Sequence, residues 1–118
     1  REKSILKKIM VLFEQEKIYL KSCVTIQDVA NSIGTNRTYI SSVINEHCQQ
    51  NFCTFVNQYR LNEIEEILKS DNDITLNQLA EQTGFGSVDS MKRAVKLKTN
   101  MNFREWKEEI IKNTTNDK

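Results

Sequence analysis

The chain has 118 residues, 38% hydrophobic and 28% charged, with a formal net charge of +1, which suits one medium soluble domain or two very small ones. No run approaches the roughly 20 apolar residues of a membrane span, and no secretory signal pattern opens the chain. There is no proline and there are three glycines, which favours helices joined by tight turns over a β-sandwich.

Residues 3–16 are amphipathic, with Ile5, Ile9 and Leu12 beside Leu6, Met10 and Phe13 forming an apolar stripe; a packing helix is expected there. Residues 25–34 read TIQDVANSIG. Thr25 is a good N-cap, and Asp28 approximates a capping box with it. Ile26, Val29, Ala30 and Ile33 share one side at helical spacing. Gly34 should end the helix in a left-handed conformation. A second helix is expected over about 36–48, with Asn36 as its cap. Ile40, Val43 and Ile44 face inward, leaving Arg37, Thr38, Ser41, Ser42 and Asn45 outward.

A long helix over 52–69 carries Phe52, Phe55, Val56, Tyr59, Ile64, Ile67 and Leu68. Residues 75–84 read TLNQLAEQTG. Thr75 is expected as cap and Gln78 as its capping-box partner, with Gly84 ending the helix. The next helix spans about 87–98 with Ser87 as cap. Met91, Ala94 and Val95 face in; Val88, Asp89, Lys92, Arg93 and Lys96 face out. A final helix over 103–112 is anchored by Phe103, Trp106 and Ile110. Thr114–Lys118 is expected to be a disordered polar tail.

These segments repeat. Thr25, Ala30 and Gly34 match Thr75, Ala80 and Gly84 at an offset of 50. After the second glycine the offset becomes 51: Ile40 meets Met91, Val43 meets Ala94, Ile44 meets Val95, and Asn51-Phe52 meets Asn102-Phe103. One extra residue in the second turn explains the change. Short helix, glycine turn and second helix make a helix-turn-helix. Ala30 sits where two crossing helices approach, and Ile40 plugs the angle between them. The expected fold is all-α: two homeodomain-like helix-turn-helix subdomains joined by a long central helix, about seven helices in all. The boundaries are 1–50 for the first subdomain with its packing helix, 51–70 for the connector, 71–113 for the second subdomain and 114–118 for the tail.

Charge is distributed unevenly. Gly84 to Lys107 holds six cations and two acids, whereas Glu46 to Asp73 holds two cations and six acids. The local field therefore matters more than the net charge. Cys23, Cys48 and Cys53 form no framework, and His47 is the sole histidine. Reduced thiols in a cytosolic setting are expected, with no metal and no cofactor. Arg60 lies in an acidic stretch and is expected to be a structural ion-pair partner; Lys98, Arg104 and Lys107 read as solvated charges. No phosphate-binding glycine loop or acid–base pair is present, so no enzymatic activity is expected.

The stretches LNQLAEQTGF, NFCTFVNQYRLNEIEEIL and KLKTNMNFREW resemble the second helix-turn-helix, the connecting helix and the C-terminal signature of the AraC/XylS family of bacterial transcription regulators. The resemblance covers about 20–112. It implies two helix-turn-helix units entering successive major grooves on one side of double-stranded promoter DNA. By family position, Thr38, Ser41 and Ser42 face bases, with Arg37 and Asn45 nearer phosphates. In the second unit the base-facing set is Val88, Asp89, Lys92 and Arg93, with Ser87 and Lys96 suited to phosphates. Arg93 is the candidate for guanine, and Val88 for a thymine methyl. Lys92 could reach a base or a phosphate, and Asp89 could accept from cytosine or repel DNA. The family's domain usually lies behind a sensing region. A chain beginning at Arg1 rather than Met is therefore expected to be a fragment, with dimerisation, if any, and any membrane anchor in the preceding region. RNA polymerase is a further candidate partner.

The sequence departs from the family where aromatics are missing around Ser90-Met91, where Val95 replaces a common Phe, and where Asn100 and Phe103 replace common Gly and Pro. Ile64 also replaces a small residue. Looser packing of the second unit is expected from these changes. The competing reading is a helix-turn-helix fold retained as a protein-interaction module with weakened DNA readout.

Overall fold

Thr25 and Thr75 each start a helix by the same reciprocal exchange. Thr25 Oγ1 accepts from the Asp28 amide at 3.1 Å, and Asp28 Oδ2 accepts from the Thr25 amide at 2.9 Å. Thr75 and Gln78 do likewise at 3.1 and 3.2 Å. Both boxes are complete, so Asp28 serves as well as Gln78. Asn36, Asn51 and Ser87 cap the helices that follow them, accepting from the amides of Tyr39, Thr54 and Ser90. Asn102 and Glu105 form a third reciprocal box, at 2.9 and 3.0 Å.

The computed structural model describes residues 2–116. Its helices are α1 (Glu2–Met10), α2 (Ile26–Ile33), α3 (Arg37–Cys48), α4 (Phe52–Ser70), α5 (Leu76–Gln82), α6 (Val88–Thr99) and α7 (Phe103–Asn116). Among the described residues there are no strands, and no helix is long and apolar enough to cross a membrane. Helices α2–α3 and α5–α6 are the two helix-turn-helix pairs.

The first helix departs from regular α geometry. After Met10 it widens into a π turn over Val11–Gln15, closed by the Glu16 amide on the Val11 carbonyl at 3.2 Å. The wider turn buries the neighbours Leu12 and Phe13 together. Lys17, at φ +52°, reverses the chain into a short 3₁₀ turn, Ile18–Leu20, which buries Tyr19.

Two cores result. Ile9, Phe13, Val29, Ala30, Ile40, Val43 and Ile44 fill the first, with Phe55 and Val56 from α4. Leu79, Met91, Val95, Phe103 and Trp106 fill the second, with Leu61, Ile64 and Leu68 from α4. One helix thus contributes to both, its N-terminal half to one and its C-terminal half to the other.

The second core is closed to solvent at its centre. Ile64, Met91 and Val95 are all 0% exposed, and among the described residues no buried side-chain polar atom lacks a partner. Asn100 takes the left-handed conformation at φ +62° that glycine would otherwise provide.

Two local expectations are corrected. Helix α5 stops at Gln82, with Thr83 rather than the glycine as its C-cap; Thr83 is buried, and its hydroxyl donates to the Leu79 carbonyl at 2.7 Å. Gly84 still adopts φ +87°, and two residues, Phe85 and Gly86, separate it from the cap Ser87, where Thr35 alone separates Gly34 from Asn36, as the shifted offset requires. Helix α7 does not end before Thr114. The Thr114 hydroxyl donates to the Ile110 carbonyl at 2.9 Å and the helix continues to Asn116; no proline or glycine interrupts it. Residues 117–118 lie outside the described residues.

The two threonine boxes differ in one testable respect. The Thr25 backbone amide holds the Asp28 carboxyl below its ordinary value of 3.8, helped by Lys21 Nζ at 3.5 Å. A depressed folded-state value means the stabilisation is present above 3.8 and is lost as pH falls through the lower value. Gln78 does not titrate. Acidification below 3.8 is expected to loosen the first turn of α2 and spare that of α5. Amide hydrogen exchange in the two turns checks this; equal loosening would contradict it.

Candidate nucleic-acid interface

Each second helix of a pair borders an open groove. In the first unit the groove has a volume of 450 Å³ and is lined by Ile26, Arg37, Thr38, Ser41, Ser42, Asn45 and Glu46. In the second unit it measures 770 Å³ and takes in Leu76, Asp89, Lys92, Arg93 and Lys96. These are equivalent positions: Ile26 with Leu76, Thr38 with Asp89, Ser41 with Lys92, Ser42 with Arg93, and Asn45 with Lys96. The sequence repeat has become a repeated surface.

All five outward residues of α3 border one groove, with Ser41 half-buried and the others exposed. In α6, Asp89, Lys92, Arg93 and Lys96 are exposed and come together. Val88 does not join them: it is half-buried against the second core. Ser87 is occupied at the helix start, its Oγ accepting from the Ser90 amide at 3.1 Å. Lys96 Nζ donates to the Asn100 carbonyl at 3.0 Å, closing the end of its own helix while remaining exposed.

Arg104 and Lys107, read from sequence as solvated charges, line the second groove with Asn102 and Phe103. Helix α7 packs beside α6 and presents its first turns there. Arg104 also meets Glu108 at 3.5 Å, an exposed pair that leaves it free to exchange partners. The second groove therefore gathers five cations against one acid, Asp89. The first holds Arg37 and Glu46, which nearly cancel. The signal that could have found Arg104 and Lys107 is their i, i+3 spacing just after the Asn102 cap.

Other charged and polar groups fall outside the grooves. Lys98 is exposed beside Leu97 and α4. Cys23 and Cys53 are exposed, and Cys48 is half-buried, with burial raising its thiol above the ordinary value. Among the described residues no group of three or more His, Cys, Asp or Glu is placed to hold a metal ion. Phe103 and Trp106 are core residues in edge-to-face contact, with centroids 5.7 Å apart.

The family model described as "Helix-turn-helix domain" matches residues 29–109, from within α2 to within α7. The chain belongs to the AraC-type helix-turn-helix family of DNA-binding transcription regulators. Solved structures of similar fold include the C-terminal domain of AraT, a response regulator from Geobacillus stearothermophilus, at 17% identity and TM-score 0.74 over 88% of this chain and 83% of that one. A protein of unknown function from Listeria innocua has 17% identity and TM-score 0.75, covering 88% and 95%. The C-terminal domain of the two-component response regulator yesN from Fusobacterium nucleatum subsp. nucleatum has 18% identity and TM-score 0.71, covering 89% and 95%. At these identities the likeness is one of fold. No curated protein matches the sequence.

Proposed function

We propose that this chain binds double-stranded DNA sequence-specifically, with α3 and α6 as readers in successive major grooves. The observation that carries the reading is the pair of equivalent grooves on the two second helices. The molecule's longest dimension, 44 Å, accommodates the roughly 34 Å between major grooves one turn apart. Phosphate contacts set register, and base contacts supply specificity. Lys92, Lys96, Arg104 and Lys107 supply the cationic flank, and Arg93 reaches guanine. Thr38, Ser41 and Ser42 discriminate weakly, since a hydroxyl both donates and accepts. Most of the electrostatic affinity therefore resides in the second unit, and the first adds specificity through the effective concentration its tether provides. Both readers lie in one chain, so one protomer suffices for an asymmetric site.

A salt titration of duplex binding tests this. Log affinity is expected to fall linearly with log salt, with a slope of about −4 for four or five neutralised phosphates. Binding that ignores salt would favour the protein-interaction alternative. Two variants separate the roles. Lys107→Ala is expected to reduce the slope by about 1 and weaken all duplexes alike. Arg93→Ala is expected to cost about 2 kcal/mol on the preferred duplex and relax one or two positions. If the Arg93 variant ranks every duplex as the parent does, the guanine assignment is wrong.

A further inference from the structure

Arg60 lies midway along α4, between Val56 of the first core and Leu61 of the second. Its side chain leaves the helix and crosses to the turn that precedes α2. Nε donates to the Tyr19 carbonyl at 2.9 Å, and Nη2 to the Lys21 carbonyl at 3.2 Å. The expected acidic partner is replaced by backbone oxygens. The guanidinium also lies over the Phe85 ring, 5.5 Å from its centroid. Phe85 directly precedes the Gly86-Ser87 start of α6. Beside it, Gly84 packs against the Tyr19 carbonyl so closely that a Cβ would collide with it. Tyr19 is tied back in turn, its hydroxyl donating to Glu63 at 3.3 Å, while Lys17 Nζ reaches the same carboxylate at 3.1 Å.

Three segments thus converge on one guanidinium: the entry turn of the first unit, the shared helix, and the turn of the second helix-turn-helix. Helix α4 alone would leave a bending and twisting freedom between the units, because each core grips only one half of it. A second tie away from the helix axis removes that freedom. The planar fork is suited to the task, since it holds two carbonyls in fixed directions and presents a flat face to an aromatic ring.

We propose that Arg60 is a positioning residue that fixes the spacing and phase at which α3 and α6 meet DNA. This rests on the two-reader function above, but its structural half is independent of DNA. The clamp makes the free protein one rigid body, so a change in the separation of two half-sites is penalised instead of absorbed.

The test uses the 118-residue chain and the variant Arg60→Met, which keeps an apolar stem and removes the donors and charge. Arg60→Lys serves as a second variant, retaining charge with a single point donor, should the first fail to fold. Residual dipolar couplings on the free protein are fitted separately over 26–48 and 76–113. The parent is expected to give one alignment tensor, and the variants two of different magnitude. In parallel, affinity is measured for duplexes whose two half-sites are about 10 base pairs apart or displaced by several base pairs. The parent is expected to prefer one spacing by about tenfold, and Arg60→Met to fall within about twofold across spacings. Binding to an isolated second half-site is expected to stay unchanged. A single shared tensor in the variants overturns the clamp. Two tensors with an intact spacing preference overturn its role on DNA. A parent that binds no duplex removes the function reading and with it the spacing role, leaving the dipolar couplings to decide the clamp.

Discussion

Gly84→Ala is expected to destabilise the protein by about 3 kcal/mol, while Gly34→Ala at the equivalent position of the first repeat costs about 1 kcal/mol. The two glycines share their backbone conformation, at φ +87° and +86°. Both substitutions therefore force an L-residue into the left-handed region. Their surroundings differ. Nothing lies within 4 Å of a Cβ built on Gly34. At Gly84 the same atom meets the Tyr19 carbonyl oxygen, with the Leu20 carbonyl carbon and Arg60 Nε each at 3.0 Å. Two of these are backbone atoms and cannot swing aside. Urea denaturation of the two variants checks the contrast. Equal losses of about 1 kcal/mol would mean that the junction yields, and that the close approach at Gly84 does not hold the units together.

Ile64→Ala is expected to cost about 3 kcal/mol and to act on one unit. Ile64 is 0% exposed and sits in the second core. Truncation removes three methyl or methylene carbons from a fully buried site and leaves a cavity. Native-state hydrogen exchange resolves where the loss falls. Amides of α5 and α7 are expected to exchange about a hundredfold faster, with α1–α3 holding their protection. Ile44→Ala, at an equally buried site of the first core, is expected to give the reverse pattern. Uniform loss of protection in both experiments would show that α4 and Arg60 merge the cores into a single cooperative unit.

The contrast between legible and hidden features follows the range of the interactions. Thr25, Asn36, Thr75 and Ser87 were readable as caps because each acts on an amide three residues away. The cores were largely readable because helical spacing recurs in Ile40-Val43-Ile44 and Met91-Ala94-Val95. Tyr19 was missed: its burial depends on a 3₁₀ turn set by Lys17 in a left-handed conformation, for which a lysine gives no local sign. Arg60 was seen as structural but given the wrong partner. Its true acceptors are carbonyls 41 and 39 residues away, and carbonyls carry no residue identity to read. Arg104 and Lys107 join the second groove only through the packing of α7 on α6. Val88 was taken as outward by periodicity, yet it lies at the margin of the apolar face and packs half-buried against the second core.

On the proposed DNA-binding function, the asymmetry between the grooves sets the order of events. The first offers hydroxyls and a nearly cancelled charge pair; the second offers five cations around Asp89. Electrostatic capture by the second unit followed by docking of the first is the sequence of events that this distribution favours. The junction proposed at Arg60 then makes the second step depend on spacing.

Selection of bound duplexes from a random library at low salt, followed by footprinting of the winner, tests the central claim most directly. The account predicts two enriched motifs about one helical turn apart, with protection of both major grooves on the same face of the duplex. No enriched motif, or a single motif protected in one groove only, would contradict it.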